Sequence, residues 1–213
     1  MSRLHRIFFF LLLIFSANLC SAAENPPRLV LEDCRYWSFV VDAALREGAA
    51  PIAFFKTGVA EMPSEGRIES APEKRLFLPG NIVSGACDGN DILALSRHGR
   101  LFQIADTGNG FEIRQEHPLG GEPLSLDLCG GKCIVLFESK LLLFEKKGGQ
   151  YSRVDSATLS SSPTFARIRD DEVFVSLSEP EIIRYSISGG LSRTGRLAVK
   201  NRLDRFDISG GQL

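Results

Sequence analysis

His98 and His117 are the residues whose types most readily do chemistry. Histidine titrates near neutrality, so two of them on neighbouring loops form either an acid–base pair or two ligands of a metal. A third ligand is not identifiable in the sequence, and the plainer reading is two solvated loop histidines. Cys129 and Cys133 flank a Gly-Gly-Lys turn. A hairpin that brings them opposite each other predicts a disulfide; the alternative is a C-x-x-x-C redox pair. Cys34 and Cys87 then pair with each other or stay free. Asp88, Asn90 and Asp91 offer oxygen ligands, but no acids at alternate positions close on a further acid, so neither calcium nor another metal is expected. There is no G-x-S-x-G elbow, no phosphate-cradling glycine loop and no C-x-x-C-H haem site. No catalytic residue and no cofactor is therefore expected.

The first residues read as an export signal. Arg3 and Arg6 precede the apolar run "IFFFLLLIF", and "SAA" supplies small residues for cleavage after Ala23. Residues 1–23 are predicted to be removed and the mature chain to be secreted or periplasmic, in a bacterium. Loss of the two arginines leaves 23 basic against 26 acidic side chains, a net charge of −3. A mildly acidic balance argues against nucleic acid and anionic membrane surfaces as partners. No later apolar run is long enough to span a bilayer, so no transmembrane segment is expected after signal cleavage.

Turn residues recur at Gly48, Gly89, Gly130, Asp170 and Gly210, with gaps of 41, 41, 40 and 40. Gly108, Gly148 and Gly189 form a second series, and Pro123 and Pro163 a third, at the same interval. A fixed period near 40 residues signals a repeat architecture. The repeat from Pro123 reads "PLSLDL", "CIVLF", "LLLFEKK" and "QYSRVDS", four strand-length segments separated by turns. The middle segments are apolar on both faces, so each sheet must be covered on both sides. "SFVVDAALREG" in the first repeat has helix-forming content, but the period continues through Gly48 and assigns it to a strand; "GRIES" and "KRLFLP" take the third and fourth places there.

This pattern resembles the β-propeller repeat families, loosely the NHL-like and FG-GAP-like propellers. "IADTGNG" is similar to the Asp-Thr-Gly-Asn stretch of NHL repeats, but it stands in the turn between the third and fourth strands. The resemblance implies an all-β fold of four-stranded antiparallel blades. The blades are expected at about 37–79, 80–117, 122–158 and 163–199. The first strand of a fifth follows at 202–213, and an N-terminal strand and linker occupy 24–36. "RLDRFDIS" then opens a blade whose remainder the chain does not supply, so a truncated fragment of a larger propeller is expected; a closed four-bladed ring with a tail is the other reading.

Let the strands of a blade be a to d from the axis outward. The a–b and c–d turns share one end and carry the glycines. The b–c turns and d–a connections share the other end and vary more, which is where loops on a rigid scaffold carry recognition. The binding candidates there are Arg97, His98, Arg100, His117, Glu122, Glu138, Lys140, Glu179, Glu181, Lys200 and Arg202. The expectation is a non-enzymatic scaffold that binds a protein or cell-envelope component through this face. The alternative is part of a propeller hydrolase, lactonase or quinoprotein-type oxidoreductase whose site is completed by further blades.

Overall fold

The computed structural model describes residues 40–46, 49–62, 74–206 and 208. Sixteen strands form four antiparallel sheets among these residues, each in simple sequential order. Blade one holds β1 (Val40–Arg46), β2 (Ala49–Phe55), β3 (Gly58–Glu61) and β4 (Arg75–Phe77). Blade two holds β5 (Ile82–Asp88), β6 (Asp91–Ser96), β7 (Arg100–Asp106) and β8 (Phe111–Pro118). Blade three holds β9 (Pro123–Cys129), β10 (Lys132–Phe137), β11 (Lys140–Lys147) and β12 (Gln150–Thr158). Blade four holds β13 (Pro163–Arg169), β14 (Glu172–Leu177), β15 (Glu181–Ser186) and β16 (Ser192–Ala198). The innermost strands neighbour one another in the order β1, β5, β9, β13. The expected all-β fold of four-stranded blades is present. The proposed signal segment, Cys34 and the linker of 24–36 lie outside the described residues.

The repeat is written into the backbone as well as the turns. In each innermost strand the register steps by one residue, at Val41, Val83, Leu124 and Thr164. In the outermost strands of blades two to four it steps at Arg114, Val154 and Thr194. Such bulges sharpen twist and re-aim the next side chain. The a–b turns place Gly89, Gly130 and Asp170 at φ of 56°, 58° and 51°. Asp170 shows that position to be left-handed whatever residue fills it, which is why glycine recurs there.

Alternation along the middle strands builds the core between blades. In β6, Ile92 and Ala94 pack towards blade one while Leu93 and Leu95 pack towards blade three. In β10, Cys133 and Val135 face blade two and Ile134 and Leu136 face blade four. Three apolar clusters thus lie between successive sheets, and the middle strands of blades two and three are covered on both sides.

This alternation overturns the expected disulfide. The two-residue turn Gly130–Gly131 pairs Cys129 with Lys132 and Cys133 with Leu128. Cys129 therefore packs towards blade four and Cys133 towards blade two, on opposite faces of one sheet. Both are free thiols, as is Cys87. Burial pushes the Cys133 thiol well above its ordinary value, and nearby Asp127 adds to this. Side chains on opposite faces of one sheet cannot act as a redox pair either. Blade one brings a second correction. Its third strand is Gly58–Glu61, directly after a Lys56–Thr57 turn, whereas "GRIES" lies outside the described residues. "SFVVDAALREG" contributes strand β1, as the period required.

After blade four, Leu203, Phe206 and Ile208 lie along the innermost strand of that blade. Thr164 Oγ1 donates to the Leu203 carbonyl at 2.9 Å and Arg167 Nε to the Phe206 carbonyl at 3.4 Å; Arg169 donates to the carbonyl of Ile208. Each donor stands 39 residues before its acceptor.

Candidate binding face

The sheet order places the b–c turns and d–a connections at one end of every blade. One backbone bond per blade ties them together. The N–H groups of Leu78, Leu119, Leu159 and Val199 donate to the carbonyls of Thr57, Gly99, Ser139 and Pro180, at 2.7–2.9 Å. Each connector is thereby fixed to the b–c turn of its own blade. Each loop is anchored at its base by this bond, and its side chains project from there.

Several of the sequence candidates pair locally on this rim. Arg97 meets Glu122 at 3.8 Å, Arg100 meets Glu116 at 3.1 Å, and Glu181 meets Arg196 at 3.0 Å. Arg202 meets Asp204 at 2.9 Å, and Ser178 Oγ donates to Glu179 at 3.2 Å. Lys140 lies 4.5 Å over the Phe137 ring. His98, Glu138 and Lys200 are exposed and have no such partner among the described residues. Exposed ion pairs of this kind are worth little to stability, about 0–1 kcal/mol, so their charges remain exchangeable with a partner's.

His117 does not belong with them. It sits in β8 opposite Leu101, on the face turned to blade three, with its ring 5.7 Å from that of Phe144. Its Nε2 is buried without a hydrogen-bond partner among the described residues. It is thus neither a solvated loop residue nor half of a pair with His98; no hydrogen bond or ring contact joins the two among the described residues. The candidate calcium acids are also spent elsewhere. Asp88 accepts the Gly130 N–H at 2.6 Å, and Asp91 accepts Lys146 Nζ at 2.6 Å and the Tyr151 hydroxyl at 3.0 Å, all from blade three.

A polar cluster on the innermost strands escaped the sequence reading. Asp42 of β1 accepts the Gly85 N–H and the Ser84 hydroxyl, each at 3.3 Å. Ser84 in turn accepts the Leu126 N–H at 3.3 Å. Asp127 of β9 accepts the Ile168 N–H at 2.9 Å and Arg167 Nη1 at 3.0 Å. Each side chain reaches forward to the innermost strand of the next blade. Burial raises the carboxyl pKa of both aspartates; for Asp42 the charges of Arg205 and Arg167 and the Gly85 N–H oppose this, and for Asp127 Arg167 and the Ile168 N–H do so. Asp42 is half-buried by surface area, yet protein atoms enclose it on most sides. The available signal was an acid inside otherwise apolar strands, "FVVDAAL" and "PLSLDL".

Solved structures share this arrangement. BBS1N, crystallised in complex with ARL6DN and soaked with lead, superposes with a TM-score of 0.60 at 14% identity, over 76% of this chain and 55% of that one. Sqt1 of Saccharomyces cerevisiae superposes with a TM-score of 0.57 at 14% identity, over 71% of this chain and 45% of that one. The sheets are β-propeller blades. At this identity the likeness shows the fold alone, and the chain spans about half the length of the structures it matches. No protein-family profile matches the sequence, and no curated protein matches it.

Proposed function

We propose that this protein is an exported, non-catalytic propeller scaffold whose b–c and d–a rim binds a protein or cell-envelope component. The contact residues are Arg97, His98, Arg100, Glu122, Glu138, Lys140, Glu179, Glu181, Lys200 and Arg202. The observation that carries this reading is the repeated backbone tie between each connector and its b–c turn, which fixes where the charged side chains leave the backbone and so lowers the loop-ordering cost of binding. BBS1N was solved in complex with ARL6DN, which supports a protein as the class of partner.

Photo-crosslinking tests the face. Benzoyl-phenylalanine is placed at His98, Lys140 or Lys200 on the rim and, as controls, at Asn90 or Lys147 on the opposite end, in the full chain expressed in cells. Discrete adducts from the rim positions alone are expected. Equal adducts from both ends, or substrate turnover abolished by His98→Ala, would overturn the proposal.

A further inference from the structure

Of the asparagines in the chain, only Asn109 is followed by glycine. It stands in the c–d turn of blade two, between β7 and β8, whose ends are closed by the Asp106–Phe111 pair. Hydrogen bonds hold this turn without engaging the Asn109 carboxamide or the Gly110 N–H. The Thr107 N–H and hydroxyl donate to the Gly110 carbonyl, at 2.9 and 3.0 Å, and the Gly108 N–H donates to Asp106 at 2.9 Å. Neither the Asn109 side chain nor the Gly110 N–H has a hydrogen-bond partner among the described residues, and Asn109 is exposed. The space beside Gly110 is open as well: a Cβ built there would meet no heavy atom within 4 Å beyond its chain neighbours.

Other positions in the same blade lack one of these features. Asp88 also precedes a glycine, but its carboxylate accepts the Gly130 N–H of blade three at 2.6 Å and is held there. Asn90 is exposed, but Asp91 follows it and carries a Cβ beside the amide nitrogen. Glycine presents that nitrogen without such bulk and with the widest backbone freedom.

We propose that Asn109 is a self-modification site, deamidated by the backbone nitrogen of Gly110. Hydroxide removes the Gly110 amide proton, and the nitrogen attacks Cγ of Asn109. The new C–N bond closes a succinimide ring as the Cγ–Nδ2 bond breaks; Nδ2 takes a proton from water and leaves as ammonia. Water then opens the ring. Cleavage of the bond to Cγ gives aspartate. Cleavage at the backbone carbonyl carbon gives isoaspartate, whose chain runs through Cβ and Cγ. One water is consumed, one ammonia is released, and nothing is oxidised or reduced. The product adds a negative charge, and as isoaspartate one backbone carbon, to the turn that carries Asp106, which receives Arg46 and Lys74 of blade one at 3.0 and 3.4 Å. The turn lies at the end opposite the loop rim, so this site and the binding face can fail separately.

The full chain is incubated at pH 6 and pH 8, native or unfolded in urea, and sampled by peptide mass spectrometry with fragmentation that separates aspartate from isoaspartate. In the native chain Asn109 should lose its amide before Asn81, Asn90 and Asn201, faster at pH 8 than at pH 6, with isoaspartate among the products and at a rate similar to that of the unfolded chain. Gly110→Ala, for which the turn has room, should slow the loss roughly tenfold. Should that variant fail to fold, the comparison of native with unfolded wild type decides. An amide that survives at Asn109 in the native chain while the unfolded chain loses it overturns the proposal. So does a loss that Gly110→Ala leaves unchanged, or isoaspartate confined to Asp88.

Discussion

At the residue scale, Asp106 and Asp42 occupy environments that treat a proton in opposite ways. Asp106 accepts Arg46 at 3.0 Å and the Gly108 N–H at 2.9 Å, with Lys74 at 3.4 Å. Burial pushes its carboxyl up, but these donors and charges outweigh burial and hold it below the ordinary range. Its stabilisation is therefore complete above the unfolded-state pKa of about 3.9 and is lost as pH falls through the lower folded value. Asp106→Asn should cost roughly 1–3 kcal/mol at pH 7, because the buried Arg46 loses a charged partner and keeps Glu61, and the cost should shrink near pH 3. Asp42 is the reverse. With its pKa raised, the folded state holds more protons than the unfolded one from the ordinary carboxylate pKa up to the raised value, so stability falls as pH rises through that window. Asp42→Asn should flatten that slope and leave the protein no less stable at pH 7. Urea unfolding of both variants at pH 3, 5 and 7 checks the signs; parallel pH profiles for the two would refute the assignment.

At the element scale, close approach and turn geometry decide which substitutions a strand tolerates. Gly85 lies in β5 where an added Cβ would stand 2.2 Å from the Phe54 ring of blade one. Phe54 is fully buried and cannot move aside. Gly85→Ala should therefore overpack the first interface and cost about 1–3 kcal/mol, read as a lower urea midpoint. Asp170 gives the opposite expectation, since its left-handed backbone strains any residue with a Cβ. Asp170→Gly should unfold at equal or higher urea concentration than wild type, and Asp170→Val at lower. A Gly variant less stable than the Val variant would show that the Asp side chain, not the backbone angle, holds that turn.

At the scale of the whole molecule, stability is a chain of nearest-neighbour interfaces. Ile92 belongs to the cluster between blades one and two, and Ile134 to the cluster between blades three and four. They share no cluster. Ile92→Val and Ile134→Val should each cost about 0.5–1.5 kcal/mol. The double variant should lose their sum to within about 0.5 kcal/mol. A loss exceeding that sum by more than about 1 kcal/mol would mean that the interfaces couple through the middle blade. Hydrogen exchange offers a second view, with slowest exchange expected in β6, β10 and β14, whose neighbours lie on both sides, and faster exchange in β4 and β16.

The amino-acid sequence by itself determined the period, the turns and the strands of blades two to four. These depend on local chemistry: left-handed turn positions at Gly89, Gly130 and Asp170, and apolar alternation within runs such as "DILALS" and "RLFQIAD", which match β6 and β7 end to end. What only the tertiary structure decided was side-chain direction and company. A four-residue spacing left Cys129 and Cys133 free to be opposite or apart, and the two-residue turn put them on opposite faces. His117 reads as a loop residue until the strand is seen to run through it. Asp42 and Asp127 look like isolated acids in apolar strands until the next blade supplies the N–H groups they accept, 43 and 41 residues away. Turn type and alternation are fixed within a few residues of chain. Register, and the partner that a side chain meets across an interface, are fixed only when sheets some 40 residues apart come together.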